Sequence, residues 1–238
     1  MLSVPWITGV FTGGFDWRQI VLVAAWWPAY FAYTDFTQLL RVARVRRAGW
    51  WPPVVTFGAV AGVLGVWLVV MRPLLLWWAP WFAVLLGTSV ALVIRRAERS
   101  WLNDGVTLTA ACLMTMVAAG LGAASGRAYS WLPPGTADGR VLVAFAVVLL
   151  YFLGTAPYVK TMIRDRGRPE VYAVSVGYHG LLMVLGWFVS PWTGGLGLLL
   201  LARAAGVPKL WPKATPKAIG LAEMGISTVV TLVAILGG

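Results

Sequence analysis

Twenty consecutive residues without a formal charge, PPVVTFGAVAGVLGVWLVVM, occupy positions 52–71. A helix needs about 20 mostly apolar residues to cross the hydrocarbon core of a bilayer. The segment shows no alternation of apolar and polar residues, which a strand of a membrane barrel would require. Because backbone amides inside lipid must be paired within their own segment, it predicts a membrane-spanning α-helix. Its glycines, Gly58, Gly62 and Gly65, are expected to let a neighbouring helix approach closely.

Further apolar segments lie on both sides of this one, and together they predict an all-α fold: a polytopic transmembrane helix bundle of about nine spans. The first and eighth spans, at 1–15 and 196–206, are short. We interpret the first as the second half of a span whose beginning is missing. The turn signal SPWTGG at 190–195 separates the seventh and eighth spans. The other predicted spans are 19–40, 73–94, 105–126, 141–159, 171–189 and 218–238.

The overall composition agrees with a membrane location. Hydrophobic residues make up 60% of the 238-residue chain and charged residues 11%, and the mean hydropathy is +0.80. A soluble domain averages about 45–50% apolar and about 25% charged residues. The excess excludes a soluble globular protein, and it excludes intrinsic disorder, which requires low hydrophobicity. We therefore treat residues 1–238 as a single transmembrane helical domain.

Few residues are suited to metal or disulfide chemistry. The chain has one cysteine, Cys112, and one histidine, His179. These counts exclude an internal disulfide framework, a multi-cysteine metal site and metal motifs with two histidines. No metal site is predicted, and the sequence does not identify a cofactor.

The distribution of basic residues predicts the orientation of the bundle. Of the 19 Lys and Arg residues, 15 lie in loops that follow even-numbered spans. Because basic loops stay on the cytoplasmic side, these loops should be cytoplasmic and the C-terminus should lie outside a plasma membrane. Anionic lipid headgroups are the expected partners of the basic loops. Nucleic acid is not expected as a partner, because the charges are divided among short loops.

Polar residues near the cytoplasmic ends of the early spans are the first site candidates. Asp35 lies inside the second span, where a carboxylate either marks a functional site or pairs locally with Arg41. Asp104 is suited either to cap the fifth span or to bind a ligand. The group that lies where the fourth span ends and the fifth begins comprises Glu98, Arg99, Asn103 and Asp104.

The densest polar cluster follows the sixth span and includes Asp165. Helical spacing would place Lys160, Arg164 and Arg168 on one face. Three cations on one face near a membrane are suited to hold phosphate or another anion. The alternative is an ordinary cytoplasmic loop attracted to lipid headgroups.

Two ionisable residues lie inside the later spans. His179 is the ninth residue of its span, and Glu223 lies about one turn into the last span. An ionisable group within a membrane favours a functional site. His179 is suited to carry protons, to ligate a metal or, most simply, to bond a neighbouring helix. Glu223 is suited to pair with Lys217 or with cations of another cytoplasmic loop.

Most of these candidates share a depth near the cytoplasmic side. If the even-numbered loops converge, the candidates form one polar vestibule of mixed charge that faces the cytoplasm. The ligand-binding set predicted from the sequence is Asp35, Glu98, Arg99, Asn103, Asp104, Lys160, Arg164, Asp165, His179 and Glu223.

Several of these runs resemble the YwiC-like family of bacterial membrane proteins. The resembling segments are ERSWLND at 98–104, YFLGT at 151–155, YVKTMIR at 158–164, and PKAIG at 216–220 with Glu223 and Met224. The resemblance implies an integral protein of a bacterial plasma membrane and does not name an activity. Family members usually begin with a segment of the Glu-His-Gly-Ala-Trp type before the first span, whereas this chain opens inside that span.

Three functions remain open from the sequence. The first is binding or transport of an anionic or amphiphilic ligand through the cytoplasmic vestibule. The second is a lipid-modifying enzyme, because nine helices with polar loops after even-numbered spans are similar to the layout of UbiA-type prenyltransferases. The paired Asp-rich motifs that hold Mg²⁺ in those enzymes are absent here, where the loop after the second span is RVAR at 41–44. The third is an accessory subunit of a respiratory membrane complex.

Overall fold

The computed structural model describes residues 2–122 and 133–237, where helices are joined by short turns and loops and neither range contains a strand. The prediction of an all-α bundle is confirmed. Residues 123–126 of the predicted fifth span lie outside the described residues, as do Met1 and Gly238 at the ends of the first and last spans. The helices are α1 (Ser3–Gly13), α2 (Arg18–Arg41), α3 (Trp51–Met71), α4 (Ala79–Ile94), α5 (Trp101–Cys112), α6 (Met114–Leu121), α7 (Gly139–Met162), α8 (Pro169–Val189), α9 (Pro191–Leu210) and α10 (Pro216–Leu236).

Six helical segments within the described ranges are long and apolar enough to cross a membrane. Short 3₁₀ turns lead into α3 and α4, and α5 and α6 are separated by the single residue Leu113. Side chains of α3 such as Val63, Val66 and Val70 are 66–71% exposed. A water-soluble surface rarely carries so large an apolar face, whereas lipid solvates it. The chain is therefore a multi-pass membrane protein, and its six segments are Val45–Met71, Pro73–Ile94, Trp101–Leu121, Gly139–Met162, Pro169–Val189 and Pro216–Leu236.

The eighth predicted span is longer than the sequence indicated. In the structure α9 begins at Pro191 and has 20 residues, so that Ser190 alone separates it from α8. Ser190 caps the helix by accepting a bond from the backbone N–H of Thr193, and Pro191 fits the first helical position because no intrahelical partner exists for an N–H there. The proline and paired glycines that predicted a broad turn therefore start a helix.

Close approach between helices occurs at glycines other than those expected. A Cβ atom at Gly9 or Gly13 of α1 would lie within 3 Å of α6 atoms, which shows that these two helices touch through backbone. Gly194 of α9 lies in the same way against the ring of Trp187 in α8. The expectation for the α3 glycines was wrong: Gly58, Gly62 and Gly65 have no atom of the described residues within 4 Å of the Cβ position.

The chain divides into two compact units. We call Leu2–Val141 the N-terminal unit and Leu142–Gly238 the C-terminal unit. In the N-terminal unit, the buried Gln19 side chain donates to the carbonyls of Gly14 and Ala118, which ties the start of α2 to α6. In the C-terminal unit, α7, α9 and α10 meet in an apolar cluster formed by Tyr158, Met162, Ala204 and Ile219. That a single domain covers the whole chain stays a prediction.

Candidate functional site

A buried arginine lies at the centre of the polar contacts in the C-terminal unit. Arg203 is the thirteenth of the 20 residues of α9, and its side chain is 6% exposed. Its Nη1 donates to both carboxylate oxygens of Glu223 in α10, each at 2.6 Å. An arginine is retained at such a position when an opposite charge neutralises it, because an unpaired ion in an apolar interior is very costly.

Two tyrosines of α7 complete the surroundings of this ion pair. The ring of Tyr158 lies 4.1 Å from the guanidinium carbon of Arg203, a distance at which the ring face attracts the cation. The Tyr151 hydroxyl donates to Oε2 of Glu223 at 3.0 Å. The two rings lie seven residues apart, which places them on one face of α7. Helix α7 thus contacts the Arg203 cation with the ring of Tyr158 and the Glu223 carboxylate with the hydroxyl of Tyr151.

His179 brings α8 to the same group. Its Nδ1 lies 2.7 Å from the carbonyl oxygen of Ser175. Because a carbonyl only accepts, Nδ1 carries the hydrogen, and in the neutral imidazole Nε2 offers its lone pair. Nη2 of Arg203 lies 3.5 Å from that Nε2. Of the roles considered from the sequence, contact with a neighbouring helix is therefore the one the geometry displays.

The absence of a side chain at Gly154 permits this arrangement. A Cβ there would lie 2.6 Å from the Tyr178 ring and 3.0 Å from Nε2 of His179. The hydroxyl of Tyr178 also donates to the carbonyl of Leu150 in α7, at 2.9 Å. The backbone of α7 at Gly154 thus lies directly against the Tyr178 and His179 side chains of α8.

Sequence reasoning missed Arg203 as a site residue. The predicted eighth span, 196–206, places Arg203 near the end of a short segment, whereas α9 extends from Pro191 to Leu210 and places it well inside the helix. The signal was present in LLLLAR at 198–203, where a lone cation follows four leucines. The predicted site residues Glu223 and His179 are brought together by Arg203, and the partner of Glu223 is this residue rather than Lys217.

The basic segment after α7 differs from its expected geometry. The helix ends at Met162, and a turn with Gly167 at φ +83° follows. Arg164 and Arg168 therefore do not extend the helical face of Lys160, and the expected common face of three cations is not formed. Arg168 instead donates to Asp165 at 3.2 Å.

A second arginine of this turn fastens it to the loop before α10. The guanidinium of Arg166 donates to the carbonyl of Met162 and, at 3.1 Å, to that of Ala214. The bond to Met162 satisfies one of the last carbonyls of α7, which have no intrahelical partner. The turn is thus held by the Arg166 side chain together with backbone bonds of its own, such as that from the Asp165 N–H to the Lys160 carbonyl.

This turn closes one side of a cavity of about 290 Å³. Tyr172 of α8 lies in the wall, where its hydroxyl donates to the carbonyl of Ala205 and its ring lies 5.4 Å from Nζ of Lys209. Of the predicted site residues, Asp165 lines the cavity, whereas Lys160 and Arg164 are not among its lining residues. The lining residues are Thr161, Met162, Asp165, Arg166, Gly167, Arg168, Pro169, Tyr172, Pro208, Lys209 and Pro212.

The candidates of the N-terminal unit form a separate network around the start of α5. Ser100, not Asp104, is the N-cap of α5, because its side chain accepts the backbone N–H of Asn103. Asp104 lies in the first turn, where an acid favours the positive end of the helix. The buried Asn103 accepts a hydrogen bond from Ser89 of α4, and Tyr33 of α2 contacts the same serine hydroxyl.

The charged candidates of this unit have different surroundings. Arg41 pairs with Glu98 at 3.0 Å, so that the local pairing considered for Asp35 is not the one observed. Asp35 is half-buried, and Arg99 is exposed. Whether the candidates of the two units share one vestibule stays a prediction. Among residues 2–122 and 133–237, no group of three or more His, Cys, Asp or Glu side chains is arranged to hold a metal ion.

Comparison with known proteins identifies relatives of the chain. The family model described as "YwiC-like protein" matches residues 1–119. "Uncharacterized protein YwiC" of Bacillus subtilis (strain 168) is 28% identical over 185 residues, which is 78% of this chain and 72% of the relative. "Uncharacterized protein" of Haemophilus influenzae (strain ATCC 51907 / DSM 11121 / KW20 / Rd) is 26% identical over 234 residues, 96% of this chain and 90% of the relative. No solved structure matches significantly. The family match over half of the chain confirms the resemblance seen in the sequence, and the chain belongs to the YwiC-like family.

Proposed function

We propose that this membrane protein binds a small anion, or the anionic end of an amphiphile, in the cavity formed by the turn after α7 and the adjoining ends of α8 and α9. The observation that carries the proposal is the charge of the lining. Arg166, Arg168 and Lys209 provide three positive charges, and Asp165 provides one negative charge. A cavity with excess positive charge attracts anions, and guanidinium groups suit carboxylate and phosphate oxygens in particular.

The cations that line the cavity differ in how many hydrogen bonds they already make to other groups of the protein. Arg166 is bonded to two backbone carbonyls, and Arg168 shares its charge with Asp165 through one bond. The ammonium of Lys209 is 5.4 Å from the Tyr172 ring. We therefore assign ligand contact chiefly to Arg168 and Lys209, while Arg166 maintains the wall.

The size and apolar content of the cavity favour a small group. Its volume of about 290 Å³ lies at the lower end of the range of roughly 300–1,000 Å³ for small-molecule sites. Met162, Pro208 and Pro212 add apolar surface to the lining. This combination suits a charged head that is attached to an apolar body, as in an anionic lipid, and it also suits free phosphate.

The basic lining lies next to helix ends, where the positive-inside pattern of the sequence favours the cytoplasmic side. We therefore propose cytoplasmic access to the cavity and a plasma-membrane location. Transport across the membrane is a further part of the proposal, since the same unit carries ionisable residues inside its helices.

The test is a binding measurement on the purified full-length chain in nanodiscs. Thermal unfolding is followed with inorganic phosphate against chloride at equal ionic strength, and separately in discs of phosphatidylglycerol against phosphatidylcholine. A ligand at ten times its dissociation constant stabilises the native state by about 1.4 kcal/mol. We expect this stabilisation in the original chain from phosphate, from phosphatidylglycerol or from both, and its loss in the double variant Arg168→Ala with Lys209→Ala.

Two further variants separate the cavity from general surface charge. Lys213→Ala removes an exposed cation that does not line the cavity, and it should retain the full effect of the anion. Arg164→Ala tests the residue that the sequence favoured. If Arg164→Ala abolishes the effect while the double variant keeps it, or if all variants lose it equally, the proposal is wrong.

A further inference from the structure

The carboxylate of Glu223 neutralises Arg203 but accepts hydrogen bonds from only one of its three guanidinium nitrogens. Both bonds to Glu223 come from the single nitrogen Nη1, whereas arginine binds carboxylates most strongly through two nitrogens. Nη2 lies 3.5 Å from Nε2 of His179, and Nε is buried and makes no hydrogen bond with the described residues. The edge formed by Nε and Nη2 therefore has donors to offer to a second carboxylate.

Arg203 is fixed by contacts that do not depend on Glu223. The Tyr158 ring lies 4.1 Å from the guanidinium, and His179 lies against Nη2. Glu223 is more accessible, since its side chain is 15% exposed against 6% for Arg203. Its carboxylate is held by bonds from Arg203 and Tyr151, both of which weaken when the carboxylate gains a proton. The carboxylate is thus the exchangeable member of the pair.

Electrostatics then link a proton to an anion at this site. A cation at membrane depth requires one negative partner. When Glu223 takes up a proton, Arg203 loses that partner, and a ligand carboxylate restores the balance without adding net charge. The other titratable groups that face the pair are Tyr151 and Tyr158 from α7 and His179 from α8. None of these brings a second negative charge at neutral pH.

We infer that Arg203 and Glu223 form an intramembrane site that binds a small monocarboxylate together with one proton. The proton comes from solution and binds to the Glu223 carboxylate. The ligand carboxylate then replaces Glu223 as the partner of Arg203 and also accepts hydrogen bonds from Nε and Nη2. No covalent bond of the ligand changes. This site lies in the helix interior and uses none of the residues assigned to the surface cavity, so that either proposal can fail alone.

The experiment uses formate as the probe and the full chain in nanodiscs. Calorimetric titration between pH 5.5 and 8 gives the affinity, and a pH-sensitive dye in weak buffer gives the protons taken up. For the original chain we expect one proton per bound formate. The affinity of the original chain for formate should fall as pH rises, and the fall should approach a factor of ten per pH unit in the range where Glu223 is ionised. The absence of proton uptake with binding, or of binding altogether, overturns the inference without any variant.

Glu223→Gln distinguishes this site from a merely structural ion pair. The amide imitates the protonated acid, so this variant should bind formate with an affinity that no longer depends on pH and that exceeds the original affinity at pH 8. Arg203→Gln should not bind formate. Glu170→Gln, an exposed acid in the first turn of α8, serves as the matched control and should keep the original pH dependence. A Glu223→Gln chain that folds and still shows the original pH dependence contradicts the inference.

Discussion

At the scale of single residues, the pair formed by Arg203 and Glu223 shows how a buried ion pair depends on both of its members. The N···O distance is 2.6 Å, and both side chains are mostly buried. Such a pair contributes little net stability relative to apolar residues of similar volume, because both charges lose their hydration. Removal of one member is a different matter, since the remaining charge is then buried without compensation.

This asymmetry gives a prediction for stability. Arg203→Met alone should lower the free energy of unfolding by about 3–5 kcal/mol, because the Glu223 carboxylate loses its cation. Combining it with Glu223→Leu should recover most of that loss, since neither charge is then present. Unfolding of the original, single and double variants in one detergent checks both statements. If the double variant is as unstable as the single one, the ion pair contributes more to the free energy of unfolding than the apolar side chains that replace it.

Asn103, which the sequence predicted as a ligand-binding residue, has a packing role in the structure, where its side-chain amide joins α4 to α5. Its Oδ1 accepts from Ser89, and its Nδ2 donates to the carbonyl of Glu98 at 2.8 Å. With these bonds satisfied inside the bundle, the side chain serves helix packing.

At the scale of helices, close packing depends on where backbone can touch backbone. Helix α1 has only 11 residues, and it lies on α6 through Gly9 and Gly13. The indole N–H of Trp6 adds a hydrogen bond to the carbonyl of Gln19 in α2, at 2.8 Å. The glycines of α3, by contrast, contact no other helix: a Cβ atom added to any of them would have no atom of the described residues within 4 Å.

The two sets of glycines should therefore respond oppositely to alanine. Gly13→Ala should destabilise the chain, because its Cβ would lie within 3 Å of the Ala119 backbone. Overpacking of this kind typically costs about 1–3 kcal/mol. Gly62→Ala should be neutral or stabilising by up to about 1 kcal/mol, since alanine favours the helix and its Cβ meets no described atom. Thermal unfolding of the two variants in the same detergent measures the contrast, and equal effects would argue against the α1–α6 contact.

The ends of helices decide which cations can act together. In the sequence, Lys160, Arg164 and Arg168 are four residues apart and suggest a common face. The end of α7 at Met162 and the positive φ of Gly167 interrupt that face. Arg168 and Lys209 instead line one cavity, although they come from different parts of the chain, because the packing of the unit places both in its wall.

At the scale of the whole molecule, membrane insertion follows from long apolar segments, whereas orientation follows from the distribution of charge. The alternation of basic and neutral loops agrees with helices that cross the bilayer in turn. Helix α9 has 20 residues, which is long enough for a crossing, but it is not among the six described segments that are also apolar enough to span a membrane. That α9 crosses the bilayer therefore stays a prediction from the charge pattern.

We accordingly predict the compartment of each loop. Reporter fusions at Arg44, Arg96, Arg166 and Lys213 should all report the cytoplasm, and a fusion at the C-terminus should report the outside. The physical reason is the cost of moving clustered cations across the membrane during insertion. Disagreement between any two of the four loop fusions would refute the predicted topology, and with it the cytoplasmic access proposed for the cavity.

The sequence by itself determined the class of the protein. Charge-free segments of about 20 residues, such as 52–71, require membrane helices whatever their neighbours are, because the backbone must be paired inside lipid. The family was also recognised from short runs such as 98–104, which lies within the residues that the family model matches. His179 and Glu223 could be selected as site candidates because ionisable residues within apolar segments are conspicuous.

Only the tertiary structure decided which polar groups meet. Through the packing of α7, α8, α9 and α10, Glu223 gains Arg203 and Tyr151 as hydrogen-bond partners, and Arg203 in turn lies against His179. No local pattern in the sequence encodes that set. Likewise, the composition of the cavity depends on where α7 ends and on which residues of α9 lie opposite. Length and hydropathy are properties of each segment alone, whereas ion pairs and cavities depend on the distances between segments, and these exist only once the helices have packed.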